Sequence, residues 1–155
     1  MNDLSDLLRP DAVLTGIAVP AKKALFQLLG TTAAPIAGVT PRAIADRLAD
    51  REKLGSTGFG GGVAIPHARI EGLAQVTGFF VRLEQAVEFQ AVDDLPVDLV
   101  FALLSPTHAG ADHLKALARV SRRMRDRTFL AKLRGAGSPD ALYALFATDE
   151  TRDAA

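Results

Sequence analysis

Apolar residues along this chain recur with two different periods, and the switching between those periods predicts the architecture. Residues 97–104 form a nearly unbroken apolar run closed by Ser105-Pro106, the pattern of a strand buried on both faces. Residues 76–83, rich in valine and phenylalanine, read as another strand. Shorter strands are expected near residues 12–14 and at 63–65, the latter stopped by Pro66 because proline has no N–H for the ladder. Elsewhere the spacing is helical. Ala21, Ala24, Leu25, Leu28 and Leu29 follow Pro20, and Ile44, Ala45 and Leu48 follow the N-cap and N1 pair Thr40-Pro41 until Gly55. Leu114, Leu117 and Met124 mark a helix over 112–125, a shorter piece covers 129–133 and ends at Gly135, and Ser138-Pro139 opens a last helix carrying Leu142, Leu145 and Phe146. This mixture predicts an α/β fold: a three-layer domain with a mixed central β-sheet flanked by helices on both faces. One domain is expected over 1–148, with 149–155 a loose tail.

Composition narrows the function more than the fold. Eighteen basic residues balance eighteen acidic ones, so no whole-molecule attraction to nucleic acid or anionic lipid is implied. Cysteine is absent, which excludes disulfides, thiolate metal sites and cysteine nucleophiles. The first six residues carry acids where an export signal carries basic residues, and the longest apolar run is far short of the roughly 20 residues that span a bilayer. The expectation is a cytoplasmic protein with no membrane insertion.

Residues 55–62 contain five glycines, with Ala64-Ile65-Pro66-His67 close behind. Each glycine inside a helix or strand costs about 1 kcal/mol, so the run is expected to be a loop that bends tightly or lies against something. Nucleotide-binding signatures fail here: Gly61 and Gly62 stand where a P-loop needs Lys and Ser/Thr, and no G-x-G-x-x-G register fits. A flexible connector remains an alternative reading. Yet imidazole is partly neutral and nucleophilic at cellular pH, so a glycine loop leading to His67 points to a site for an anionic group.

The other histidines offer no metal site by spacing. His67, His108 and His113 make no H-x-x-x-H or H-E-x-x-H pair. His113, beside Asp112 at the start of a predicted helix, is either a site residue, since α/β sites gather where strands end and helices begin, or a surface histidine. His108 reads as a loop residue. Eight basic residues between Lys115 and Arg134 face a single acid, Asp126; a solvated helix face or a patch for an acidic protein partner accounts for them. Nucleic-acid binding is disfavoured by the neutral net charge and the scarcity of aromatics for base stacking. Arg51-Glu52-Lys53 reads as a solvated helix end, with Arg51 a candidate phosphate partner through its closeness to the loop.

Taken together, Arg51-Glu52-Lys53-Leu54-Gly55-Ser56-Thr57-Gly58, then Gly60, then Ala64-Ile65-Pro66-His67 resembles the active-site stretch of enzyme IIA of the bacterial phosphotransferase system, fructose-mannitol class, with the nitrogen-regulatory branch fitting best. Residues 96–104 and Asp112-His113-Leu114 look like later segments of that branch, so the similarity runs from about Leu4 to Phe146. The resemblance implies a phosphocarrier without cofactor: His67 takes a phosphoryl group on Nε2 from an HPr-type carrier, with counterparts of His113 and Arg51 beside it, and the state of phosphorylation regulates partner proteins. Donors from Ser56, Thr57, Gly58 and Gly60 would bind the phosphate. The chain departs from the family pattern at Gly61, where asparagine is common, and at Ala68, where glycine usually follows the histidine. Two other functions fit the same residues: a sugar-specific enzyme IIA feeding a permease, and an interaction module that uses the basic helix 115–134.

Overall fold

A computed structural model of the chain describes residues 3–148. The expected tail at 149–155 lies outside the described residues. Among these, six strands and five helices follow one another as β1 (Leu8–Ile17), α1 (Lys22–Ala37), α2 (Pro41–Lys53), β2 (Gly58–Gly60), β3 (Val63–Ala64), β4 (His67–Ile70), β5 (Thr77–Val87), β6 (Val97–Pro106), α3 (Ala111–Met124), α4 (Arg127–Gly135) and α5 (Pro139–Ala147). The sheet runs β1-β5-β6-β3-β2, with β4 also paired to β6. It is mixed: β1 is parallel to β5, β5 antiparallel to β6, and β3 and β4 parallel to β6.

β6 is the spine of this sheet. Nine of its ten residues are buried, all but Asp98, as its nearly unbroken apolar run requires of a strand covered on both sides. Phe80 of β5 opposes Phe101 of β6, so both point to one face, and both rings stack against Phe146 of α5, which in turn meets Phe129 of α4. Their neighbours Phe79, Val81, Val100 and Ala102 point the other way and are equally buried. That second face is covered by α1, which packs on β5, and by α2, which packs on α1 and β4. Helices therefore close the sheet on both faces, in three layers.

Two expectations need correction. The predicted strand at 63–65 does not end the sheet at Pro66, because a new strand begins at once. Val63 pairs with Leu99 and His67 with Leu103, the same offset, so β3 and β4 are one line of chain interrupted only at Ile65-Pro66. Proline lacks a donor but keeps its carbonyl, and Pro66 O accepts from Leu103 N at 2.9 Å. The glycine run is likewise not all loop. Residues 58–60 form β2, and Gly58 opens it because only a glycine fits against Phe89 and Ala91: a Cβ there would come 2.8 Å from the Ala91 Cβ.

Helix α1 also extends beyond the predicted stripe, through Gly30 and up to Ala37 with Pro35 in its last turn. Gly30 is there for contact, since a Cβ at this position would stand 2.2 Å from the Pro41 carbonyl oxygen at the start of α2. Alanine would gain up to about 1 kcal/mol of helix propensity but crowd backbone at a cost of about 1–3 kcal/mol. Gly30→Ala is expected to lower the urea midpoint; a raised midpoint would mean that α1 and α2 do not meet as described.

Candidate functional site

The histidine at the head of β4 is placed by strand alternation. His67 and Arg69 face outward while Ala68 and Ile70 turn into the core. Ala68 is thereby accounted for, its methyl group joining the buried cluster. On β6, Leu103 and Ser105 lie opposite His67 and Arg69 and share their face, the one on which α3 packs against β6. α3 begins after a turn from Pro106 to Gly110 and delivers His113 from its first turn. The rings of His67 and His113 come to rest with centroids 5.8 Å apart. This juncture lies toward the carboxyl end of β6, where the chain turns into α3.

A cleft of about 460 Å³ opens over the pair, lined by His67, His113, Arg47, Arg51, Arg69 and Asp50, with Leu54, Leu114 and Leu117 at its rim. Leu54 and Leu114 are 84% and 63% exposed, large apolar side chains on the open side of a strongly cationic hollow.

His67 is half-buried, and its Nδ1 lies 2.8 Å from the Ile65 carbonyl oxygen. A carbonyl only accepts, so Nδ1 carries the proton and Nε2 is left as a bare lone pair. Burial pushes the pKa of this ring below its ordinary value; the Ile65 hydrogen bond opposes that shift, the Arg51 charge adds to it, and Glu52 opposes it. His113 is buried, which contradicts its reading as a surface histidine. Its pKa too is held down, by burial first and then by the charges of Arg69 and His67. Ser105 Oγ lies 2.6 Å from its Nδ1.

Arg51 sits in the last turn of α2, where a cation suits the helix carbonyls, and its Nη1 donates to the Gly55 carbonyl at 2.9 Å. The adjoining Glu52 is not a solvated helix-end residue. Its side chain is 7% exposed and accepts from the Thr57 hydroxyl at 2.6 Å, from the Thr57 amide at 3.0 Å and from Lys22 Nζ at 2.9 Å. Burial alone would raise its pKa, but the hydrogen bonds from Thr57, Lys22 and Ser56 outweigh that and lower it. Glu52 thus ties the start of the glycine loop to α1 and α2. A carboxylate next to Arg51 and five residues ahead of a threonine was the only hint of this in the sequence.

Ser56, Thr57, Gly58 and Gly60 do not line the cleft. The Thr57 hydroxyl is held by Glu52, the Gly58 amide donates to Ser56 Oγ at 3.1 Å, and Gly58 and Gly60 pair with β3. Gly61, with φ at +70°, occupies the left-handed region that both glycine and asparagine tolerate. Glycine in place of the family's asparagine therefore leaves that turn intact. Its amide donates to Asp93 and its carbonyl accepts from Arg134.

The basic stretch is not one solvated face. Arg119 is paired with Asp6, Arg134 with Asp98, and buried Arg123 donates to the Leu145 and Thr148 carbonyls. Lys115, Arg122, Arg125 and Arg127 remain exposed. Among the described residues no three His, Asp or Glu side chains gather as a metal site requires, and no helix is long and apolar enough to cross a membrane.

Residues 6–148 match the family described as "Phosphoenolpyruvate-dependent sugar phosphotransferase system, EIIA 2". The chain is 45% identical over 144 residues to a nitrogen regulatory protein of Bradyrhizobium diazoefficiens, covering 93% of this chain and 94% of that one. Nitrogen regulatory protein IIA-Ntr of Neisseria meningitidis superposes with a TM-score of 0.88 at 34% identity, over 92% of this chain and 98% of that one. IIA mannitol of Escherichia coli shares the fold at a TM-score of 0.74 and 21% identity, over 90% and 98%.

The two depressed histidine pKa values set a pH dependence. The unfolded chain binds protons near pH 6.5 that the folded chain refuses, so stability is full above that value and falls as the pH drops toward the folded pKa values. Thermal melts from about pH 8 to 5 are expected to show a midpoint that declines on the acid side, and declines less in His67→Gln. A midpoint that climbs on acidification would contradict the depressed values.

Proposed function

We propose that His67 carries the phosphoryl group in this chain, which belongs to the EIIA 2 family of the phosphoenolpyruvate-dependent sugar phosphotransferase system. The protein is a phosphocarrier, and the observation that carries the choice of residue is the contact between Nδ1 of His67 and the Ile65 carbonyl. It leaves Nε2 nucleophilic beside a cationic cleft.

In this reading the donor is an HPr-type protein bearing a phosphohistidine. The Nε2 lone pair of His67 attacks phosphorus, the new N–P bond forms as the donor's N–P bond breaks, and that electron pair returns to the donor imidazole. No proton has to move, because Nδ1 of His67 keeps its own throughout. The protein's part is positioning and neutralising charge on the equatorial oxygens. Arg51 supplies a full charge and planar donors, and His113 a further hydrogen bond. Thr57, Ser56, Gly58 and Gly60 act one step back, by shaping the loop whose first carbonyl Arg51 holds. The exposed Leu54 and Leu114 give a protein donor an apolar rim to sit on.

Near-full-length similarity to nitrogen regulatory proteins supports a regulatory carrier, working in the cytoplasm, whose phosphorylation state alters other proteins. Phosphorylation adds nearly two negative charges inside a ring of arginines, enough to change the electrostatics of the whole rim.

Incubation with phosphoenolpyruvate, enzyme I and an HPr-type protein is expected to add one acid-labile phosphate, absent in His67→Ala. Arg51→Gln should slow labelling by about 10- to 100-fold, the worth of a charge-assisted hydrogen bond in the transition state. Labelling that persists in His67→Ala would refute the reading.

A further inference from the structure

We propose that Ser105 sets the tautomer of His113, so that the two histidines of the cleft are held in opposite protonation patterns. The use of this arrangement rests on the phosphocarrier reading, while the arrangement itself follows from the hydrogen bonds. Ser105 is 0% exposed and His113 6%, and Oγ stands 2.6 Å from Nδ1. Among the described residues the serine hydroxyl has no other hydrogen-bond partner.

A hydroxyl and an imidazole nitrogen can share that contact in two ways. Were Nδ1–H the donor, the serine O–H would be left without an acceptor where no water reaches, and a buried donor without a partner is costly. Nε2 would then show a bare lone pair to a hollow lined by arginines and suited to an anion. With the serine O–H donating to Nδ1, the hydroxyl proton is used and Nε2 carries the hydrogen. The Ile65 carbonyl, an acceptor only, does the reverse to His67. One buried oxygen thus makes a nucleophile and the other makes a donor. With the ring centroids 5.8 Å apart, a phosphoryl oxygen on the first ring is within reach of the N–H of the second. Ser105 touches no phosphate in this scheme and is a positioning residue acting through His113.

Nitrogen-15 spectra of the unphosphorylated protein at neutral pH test this without any variant: His113 is expected to show an unprotonated Nδ1 and a protonated Nε2, and His67 the opposite. A protonated Nδ1 on His113 would overturn the proposal. Ser105→Ala is expected to mix the His113 tautomers and to slow phosphoryl transfer to His67 about tenfold, the worth of one hydrogen bond, while Ser105→Thr, which keeps the hydroxyl, restores both. A Ser105→Ala protein with the wild-type tautomer and rate would overturn it equally. Since the spectra need no phosphate donor, this outcome is separable from that of the His67→Ala labelling.

Discussion

The arrangement turns on a single contact, the hydrogen bond from Nδ1 of His67 to the carbonyl of Ile65 two residues earlier. That carbonyl faces Thr57 on the β2 side, and it is available because Thr57 accepts from the Ile65 amide but turns its own amide to Glu52. An unbroken ladder would claim such a group. Here the Ile65 amide is taken by Thr57, the Pro66 carbonyl serves Leu103, and the Ile65 carbonyl is left to hold an imidazole. Glu52, by taking the Thr57 amide, is thus the residue that leaves this carbonyl free for a side chain.

Charge is balanced around this contact in opposing layers. Burial and Arg51 keep His67 neutral, while Glu52 pulls the other way. Glu52 is engaged by Thr57 and Lys22, so it anchors the loop behind Arg51 and does not pair with the cation at the cleft. Arg47, Arg51 and Arg69 can then face the hollow with one acid, Asp50, among its lining residues. A neutral ring among cations can receive a phosphoryl dianion and be stabilised once it has done so.

Much of this was legible in the sequence because it depends on local chemistry. Thr40 and Ser138 cap α2 and α5 with their side chains as expected, and the apolar run of β6 read correctly as a strand covered on both faces. Family membership was legible too, from the resemblance of the stretch between Arg51 and His67 to the family's active-site segment. What the sequence did not reveal depends on contacts between distant residues. β4 was hidden because a proline reads as a stop when the partner strand is unknown. β2 was hidden because glycine's local cost ignores the crowding against Phe89 and Ala91 that excludes any side chain at Gly58. The burial of His113 against Ser105 needs two elements eight residues apart to fold back on each other, and no spacing rule contains that. Glu52, read as a solvated end, is held inside by Thr57 from the glycine loop and by Lys22 of α1, thirty residues away.

Phosphorus–nitrogen coupling in the phosphorylated, nitrogen-15-labelled protein tests the central contact most directly, since it reports which ring nitrogen bears the phosphate. If the Ile65 carbonyl holds the proton on Nδ1, phosphorus couples to Nε2 of His67 and Nδ1 retains its hydrogen. Coupling to Nδ1, or to a nitrogen of another histidine, would contradict the mechanism described here.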